Sequence, residues 1–287
     1  MNSINSKIIL GTVQFGLNYG INNQNGKPTQ EEVNKILNFA SEHGIDKIDT
    51  ANAYGDSEKV LGNYINQNKK KFKVLSKFNT TENVNTILEE TLQRLNTSKL
   101  FCFSFHNYKF FKENNSNTFK QLINLKSKGV IENIGISLYT NQELKEAIAL
   151  DYIDIIQVPF NILDNDKEKQ DLFIEAKNKN KSIHVRSVFL QGLFLKNPET
   201  LSGKLTELKK ELVLFNNIAN ENNISIESMA LSYVMSKTSI NNVLIGVDNL
   251  QQLKNNLNSI IKLDIELIKK IETIKVINKI LLNPSNW

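Results

Sequence analysis

A chain of 287 residues is long enough to bury a sizeable core. Its 40% hydrophobic and 23% charged residues exclude a disordered or fibrous class. The net charge of +5 and pI near 9.0 invite a nucleic-acid reading. That reading fails on distribution: the lysines are scattered, and the longest run, Lys69-Lys70-Lys71, falls between a helix and a strand as a solvated turn. A modest basic excess still favours an anionic ligand.

Short apolar runs alternate with helical patterns along the whole chain. "KIILGT" (7–12) predicts a first strand. In "TQEEVNKILNFASEHG", Thr29 and Glu32 have capping-box spacing, Val33, Ile36, Leu37 and Ala40 repeat at helical spacing, and Gly44 closes the helix. "IDKIDT" (45–50) is a second strand and "SEKVLGNYINQ" its helix. "KVLSKF" (73–78) is a third. The helix after it carries Val84, Ile87, Leu88, Thr91, Leu92 and Leu95 on one stripe. "KLFCFSFH" (99–106) is a fourth strand, with a helix ending near Gly129. "IENIGIS" (131–137) is a fifth, followed by the helix "NQELKEAIAL". "DIIQVPF" (154–160) is a sixth, with a helix through about Asn180, and "SIHVRSVF" (182–189) is a seventh. Helices near 203–222 and 226–237 precede a short eighth strand, "NVLIG" (242–246), and the helix "NLQQLKNNL". An amphipathic segment, 264–282, leads to "NPSNW".

Eight strands alternating with helices imply parallel strands with helical crossovers. In a chain slightly above the usual barrel size of about 250 residues, they predict a (β/α)8 TIM barrel, α/β in class. A single domain spanning 1–287 with a C-terminal helical tail is expected, since no Pro- or Gly-rich linker divides the chain. A doubly wound sheet is the alternative, but no G-x-G-x-x-G follows any strand. The abundant asparagine reads as composition bias. Cys102 is the sole cysteine, so an internal disulfide is excluded, a buried inert thiol is expected and a reducing, cytoplasmic setting is favoured. No h-region of a signal peptide and no apolar span of roughly 20 residues is visible.

A barrel of this kind carries its active site at the C-terminal strand ends. The second strand ends at Asp49, the third at Lys77 and the fourth at His106, and Tyr54 lies in the loop after the second. These four side chains are expected to converge. A tyrosine hydroxyl, with a reference pKa of about 10, is a poor proton donor near neutrality unless an ammonium favours its phenolate. An acid, a phenol, an amine and an imidazole in successive units make a site for general acid catalysis on a carbonyl. Taken singly, each residue also has an ordinary reading as a cap, a surface lysine or a core histidine.

The segments "IDTANAYGDSEKVLG", "LSKF" and "FSFHN" resemble the aldo-keto reductase family, and the resemblance runs from "LGTVQFGLNYG" through "VLIGVDNLQQLKNNL". It implies hydride transfer between a nicotinamide, NADP(H) or NAD(H), and an aldehyde or ketone. Asp49, Tyr54, Lys77 and His106 would form the catalytic set, with Tyr54 as proton donor and His106 orienting the substrate. No metal is required, and no metal-ligand spacing is visible.

By the same resemblance, Gly11, Thr12, Ser137 and Gln157 line the cofactor site, with Asn161 nearby. Leu138 stands where members often have Asn, which removes one amide contact. Arg186 falls where an aromatic commonly stacks on the nicotinamide, and a guanidinium plane can also stack. It would add positive charge near the pyrophosphate or an anionic substrate. Ser187, Gln191 and Gly192 fall where donors can meet phosphate. Gly246, Asp248, Gln252 and Asn256 match the adenosine segment. Asp248 would repel a 2′-phosphate and accept from a ribose hydroxyl, so NADH is expected to be tolerated or preferred, with Lys254 keeping NADP open.

Val13, Phe15 and Trp287 are expected to wall the substrate site, beside Gln14. The forms "TVQFGLNYG" and "VRSVFLQGLF" resemble a bacterial branch associated with surface-sugar genes, which implies a sugar or nucleotide-sugar carbonyl. A small-molecule substrate is expected, with no nucleic-acid or membrane partner. The main alternative is a dinucleotide-binding barrel that regulates or senses through a partner. Another barrel chemistry, aldol or isomerase, would run without nicotinamide.

Overall fold

A computed structural model of the chain describes residues 4–23, 25–68, 72–79, 83–114 and 116–287. The Lys69–Lys71 run lies outside the described residues. Eight parallel strands close into a barrel in chain order: β1 (Ile8–Gly11), β2 (Lys47–Asp49), β3 (Lys73–Phe78), β4 (Leu100–Phe105), β5 (Ile131–Ser137), β6 (Ile155–Pro159), β7 (Ser182–Arg186) and β8 (Asn242–Gly246). The last pairing sets Gly11 beside Gly246, so β8 returns to β1. This is the (β/α)8 barrel expected from the alternation, and closure removes every sheet edge.

Twelve α-helices are seen among the described residues. They are α1 (Val13–Gly16), α2 (Gln30–Glu42), α3 (Ser57–Gln67), α4 (Val84–Arg94), α5 (Tyr108–Glu113), α6 (Ser116–Ser127), α7 (Asn141–Ile148), α8 (Lys167–Asn178), α9 (Lys209–Glu221), α10 (Ile226–Met235), α11 (Leu250–Asn258) and α12 (Ile265–Ile271). None is long and apolar enough to cross a membrane.

The amphipathic stripes face inward as their spacing requires. Val33, Ile36, Leu37 and Ala40 of α2 are fully buried, as are most apolar residues of α4. They form one continuous shell between helices and sheet. A smaller cluster of Ile9, Leu75, Cys102 and Ile155 is separate from it. These residues come from β1, β3, β4 and β6 and fill the barrel interior.

Several boundaries differ from the sequence reading. The helix expected up to Gly129 is two, because Asn114 leaves helical geometry (φ −75°, ψ 148°). The segment 264–282 is α-helical only through Ile271. The following Thr273, Ile274, Val276 and Ile277 are β-branched and weak helix formers. The 203–222 helix begins as a 3-10 turn over Gly203–Leu208. Thr29 caps α2 by accepting from Glu32 N at 3.2 Å, but the Glu32 carboxylate accepts from Leu250 N at 2.8 Å. The expected capping box is therefore half formed, and its second half ties α2 to α11. A complete box occurs at Thr140 and Glu143.

Candidate active site

Asp49 is the last residue of β2, and only 2% of it is exposed. A carboxylate so buried requires partners. One oxygen pairs with Lys77 Nζ, and the other accepts from Gln157 Nε2 at 2.8 Å. Lys77, on β3, is equally buried and uses its remaining donors on Thr50 O at 3.0 Å and the Tyr54 hydroxyl oxygen at 3.5 Å. Burial opposes its charge most strongly, but the facing Asp49 carboxylate and the Tyr54 oxygen together outweigh it and hold the ammonium pKa above its ordinary value. A charged lysine is thus fixed between an acid and a phenol.

Tyr54 is presented by a tight turn. Its N–H donates to Ala51 O at 3.0 Å, and Ser57 N donates back to Tyr54 O at 3.1 Å. Gly55 sits in this turn at φ +53°, and Gly16 of α1 packs against it. A Cβ on Gly16 would lie 1.7 Å from Tyr54 O, so only glycine admits the loop.

His106 follows β4, and its N–H donates to Phe78 O at 2.8 Å. Its ring meets that of Tyr54 edge-on, with centroids 5.5 Å apart and planes at 82°. Burial, then the Lys77 and Arg186 charges, push its pKa down to about 3. The imidazole is therefore neutral at pH 7. Its Nδ1 has no partner among the described residues.

Asp49, Tyr54 and His106 open into a cavity of about 630 Å³ at the C-terminal ends of the strands. That volume lies in the usual range for ligand sites. Of the residues singled out from sequence, Gly11, Val13, Ser137, Gln157, Arg186 and Ser187 line it. So do Gln191, Gly192, Gly246, Asp248, Gln252 and Asn256.

Others fall elsewhere. Thr12 is fully buried beneath the site. Its hydroxyl donates to Asp49 O at 3.0 Å and pairs with Ser57 Oγ at 2.7 Å, while Ser57 also contacts Thr50 Oγ1 at 3.0 Å. It locks the β2 end to the start of α3 and has no cavity face. Phe15 is turned into the hydrophobic core by the short α1 helix, so it does not wall a substrate site. Trp287 is directed away from the mouth. It lines a separate groove of about 540 Å³, and its Nε1 donates to Leu281 O at 2.8 Å. The tail does reach the cavity, but through Asn283, Pro284 and Ser285. Asn161 holds Ser187 O and accepts from Leu163 N and Asp164 N, a purely structural set. Lys254 lies over the Phe39 ring, 5.5 Å from its centroid, and is not on the cavity wall.

Five cavity residues, Gln157, Arg186, Ser187, Gln191 and Gly192, differ in detail from expectation. Arg186 stacks on Tyr139, with 4.3 Å from Cζ to the ring centroid, and donates to Leu138 O at 3.0 Å and Ser187 Oγ at 3.3 Å. Leu138 itself is fully buried. The backbone N–H groups of Leu190 and Gly192 turn inward onto Ser187 O and Phe189 O, so the left-handed residues Ser187, Leu190, Gln191 and Gly192 build a rim turn. Gln157 is engaged with Asp49, as described above.

Sequence reasoning missed Tyr19, Tyr139, Asn22 and Glu227, which also line the cavity. Tyr19 OH accepts from Gln191 Nε2 at 2.6 Å, Ile21 N donates to Gln191 O at 3.2 Å, and Asn22 Nδ2 donates to Gly192 O at 2.6 Å. The loop after β1 is thereby strapped to the loop after β7. An aromatic beside a glycine, "NYG", is the one local signal that could have drawn attention to Tyr19.

A nicotinamide dinucleotide, the cofactor expected from the sequence, is compatible with these residues. Gln14 Oε1 is buried without a partner among the described residues and belongs to the cavity wall. The wall beside it is bare at Gly246, where a Cβ would lie 2.6 Å from that oxygen. A polar ligand would satisfy it.

A model of the Aldo/keto reductase family matches residues 7–276. A D-arabinose 1-dehydrogenase of Saccharomyces cerevisiae is 25% identical over 264 residues, covering 79% of this chain and 76% of the yeast protein. Among solved structures, aldo-keto reductase AKR11C1 from Bacillus halodurans, in its holo form, superimposes with a TM-score of 0.77 at 19% identity, over 93% of this chain and 91% of that one. A Pseudomonas aeruginosa protein assigned to the aldo-keto reductases does so at 0.66 and 22% identity, over 88% of each chain. These two likenesses bear on the fold. With the family model spanning nearly all of its length, the chain belongs to the aldo/keto reductase family of oxidoreductases.

Proposed function

We propose that the protein reduces the carbonyl of a sugar-like aldehyde or ketone, using a nicotinamide dinucleotide held in the 630 Å³ cavity and Tyr54 as proton donor. The observation that carries this reading is Lys77, whose buried ammonium is held between Asp49 and the Tyr54 hydroxyl, two groups that line that cavity. The nicotinamide, when bound, supplies the hydride that adds to the carbonyl carbon. The protein's part is to position the carbonyl and to deliver a proton to its oxygen. Tyr54 donates that proton, and Lys77 stabilises the resulting phenolate by charge and hydrogen bond. Asp49 keeps Lys77 charged and immobile, and Gln157 immobilises Asp49. His106, neutral at pH 7, can hydrogen-bond the carbonyl oxygen without competing as an acid. Tyr19 also brings a phenol to this cavity. Burial, with smaller charge effects, raises its pKa to about 12, so it is no rival donor.

NADH is the favoured cofactor. Asp248 and Gln252 interlock on the cavity wall, with Asp248 N donating to Gln252 Oε1 at 2.8 Å and Gln252 Nε2 donating to Asp248 Oδ2 at 3.0 Å. If the adenosine ribose lies there, this pair offers a carboxylate to a 2′-hydroxyl and repels a 2′-phosphate. The sugar assignment draws support from the yeast relative, which is named for D-arabinose.

The test is a fluorescence titration of the protein with NADH and NADPH, repeated on Tyr54→Phe. NADH should bind more tightly, and the variant should keep that binding while losing reduction by about 10²–10⁴-fold. Absence of binding by either nucleotide, or full activity in Tyr54→Phe, would refute the proposal.

A further inference from the structure

Arg186 ends β7 on the cavity wall, yet the reduction described above gives it no task. Its contacts are all neutral: Leu138 O, Ser187 Oγ and the face of Tyr139. Among the described residues, no carboxylate pairs with it. Two of the five guanidinium N–H donors are used in these contacts, which leaves three. A guanidinium in a partly enclosed site, with donors to spare and no counter-charge, is set up for an anion with two or more oxygens.

Its direction places that anion near the reacting groups. β5 and β7 flank β6 in the barrel. By reaching from the end of β7 to the carbonyl of Leu138, just past β5, the side chain crosses the C-terminal end of β6. From that same strand Gln157 donates to Asp49. The charge of Arg186 is felt at His106, where it helps keep the imidazole neutral. Lys77 offers no alternative seat for an anion, because its ammonium is already shared by Asp49, Thr50 O and Tyr54. Glu227 and Asp248, also on the cavity wall, are acidic and would repel one.

We propose that Arg186 binds a carboxylate or phosphate carried by the substrate, so that the substrate class is an anionic aldehyde or ketone. This rests on the carbonyl-reductase reading above and narrows it. The pyrophosphate of a dinucleotide has the same chemistry, and the experiment separates the two sources.

Three pairs of aldehydes serve: succinic semialdehyde and its methyl ester, 4-formylbenzoate and its methyl ester, and glyceraldehyde 3-phosphate and glyceraldehyde. They set the anion at different distances from the carbonyl. Steady-state kcat/KM is measured for wild type, Arg186→Gln and Arg186→Lys, with melting temperatures to confirm folding and NADH titrations without aldehyde. At least one anionic member should be preferred over its neutral partner by about 10–100-fold in wild type. In Arg186→Gln that preference should collapse toward unity through KM, and Arg186→Lys should fall between. Equal use of both members of every pair by wild type would overturn the proposal, as would a preference that survives in Arg186→Gln. If Arg186→Gln instead weakens NADH binding and leaves the aldehyde preference intact, the anion is the cofactor's, and the proposal is overturned. Loss of the proposal with nucleotide binding and neutral-aldehyde reduction intact leaves the carbonyl-reductase reading standing. A wild-type protein that binds no nucleotide and reduces no aldehyde refutes both.

Discussion

Lys77 is the residue on which the site turns. It is 2% exposed, and its charge is compensated by one carboxylate that is equally buried. Removing one partner of such a pair leaves the other stranded, at a cost of about 3–5 kcal/mol. Lys77→Met is therefore expected to lower stability by that amount, read from the urea midpoint, and to slow carbonyl reduction by about 10²–10⁴-fold, read from nucleotide absorbance. A variant reducing within twofold of wild type would remove Lys77 from the mechanism. The four polar groups were legible because each stands at or just beyond a strand end, a place where burial makes an unpaired charge untenable. Phe15, Thr12 and Trp287 were misplaced for a different reason. Gly11, Val13 and Gln14 beside the first two do face the mouth, as does Ser285 two residues before Trp287, and a small turn of a short helix or tail redirects a side chain. The Arg186–Tyr139 stack joins the end of β7 to the loop after β5, and nothing local announces it.

At the scale of the element, helix contacts decide signs that propensity alone would misjudge. Gly62 lies inside α3, where alanine is ordinarily better by roughly 0.8–1.0 kcal/mol. Here a Cβ would sit 2.0 Å from the backbone oxygen of Arg94, at the end of α4. A backbone carbonyl cannot swing aside as a side chain can. Gly62→Ala is accordingly expected to destabilise by about 1–3 kcal/mol in chemical denaturation, and a stabilised variant would show that α3 and α4 are not in such close contact. The strands and the longer helices were readable from periodicity. The break at Asn114 was passed over, although no apolar residue stands between Phe111 and Phe119. The shared role of Glu32 was hidden, because its second partner, Leu250, lies 218 residues away.

For the whole molecule, two histidines tie stability to pH. His106 and His184 are both pushed down to about 3, each first by burial; the Lys77 and Arg186 charges add to it at His106, and that of Lys47 at His184. Both are neutral in the folded state, whereas the unfolded chain takes up protons near 6.5. Between those values the unfolded state binds more protons, so the stability these groups contribute is complete above about pH 6.5 and is lost as pH falls toward 3. The slope approaches about 1.4 kcal/mol per pH unit for each histidine. Urea midpoints at pH 7, 6, 5 and 4 should therefore decline steadily, and a flat profile from 7 to 4 would show that the imidazoles are not held neutral. The closed eight-stranded order was legible from the alternation of elements alone. The strap across the mouth was not, because its hydrogen bonds join loops that carry no periodic signal.

Cys102 completes this picture from the inside. Its sulfur is fully enclosed in the barrel, 3.3 Å from Ser104 Oγ, and burial pushes its thiol pKa up to about 12. The folded chain thus shows no thiolate to the reactive aldehydes proposed to visit its mouth, and is spared self-inactivation through sulfur. An alkylating reagent can reach this atom only when the sheet parts. The speed of thiol labelling then becomes a clock for the opening of the barrel itself, with no engineered probe required.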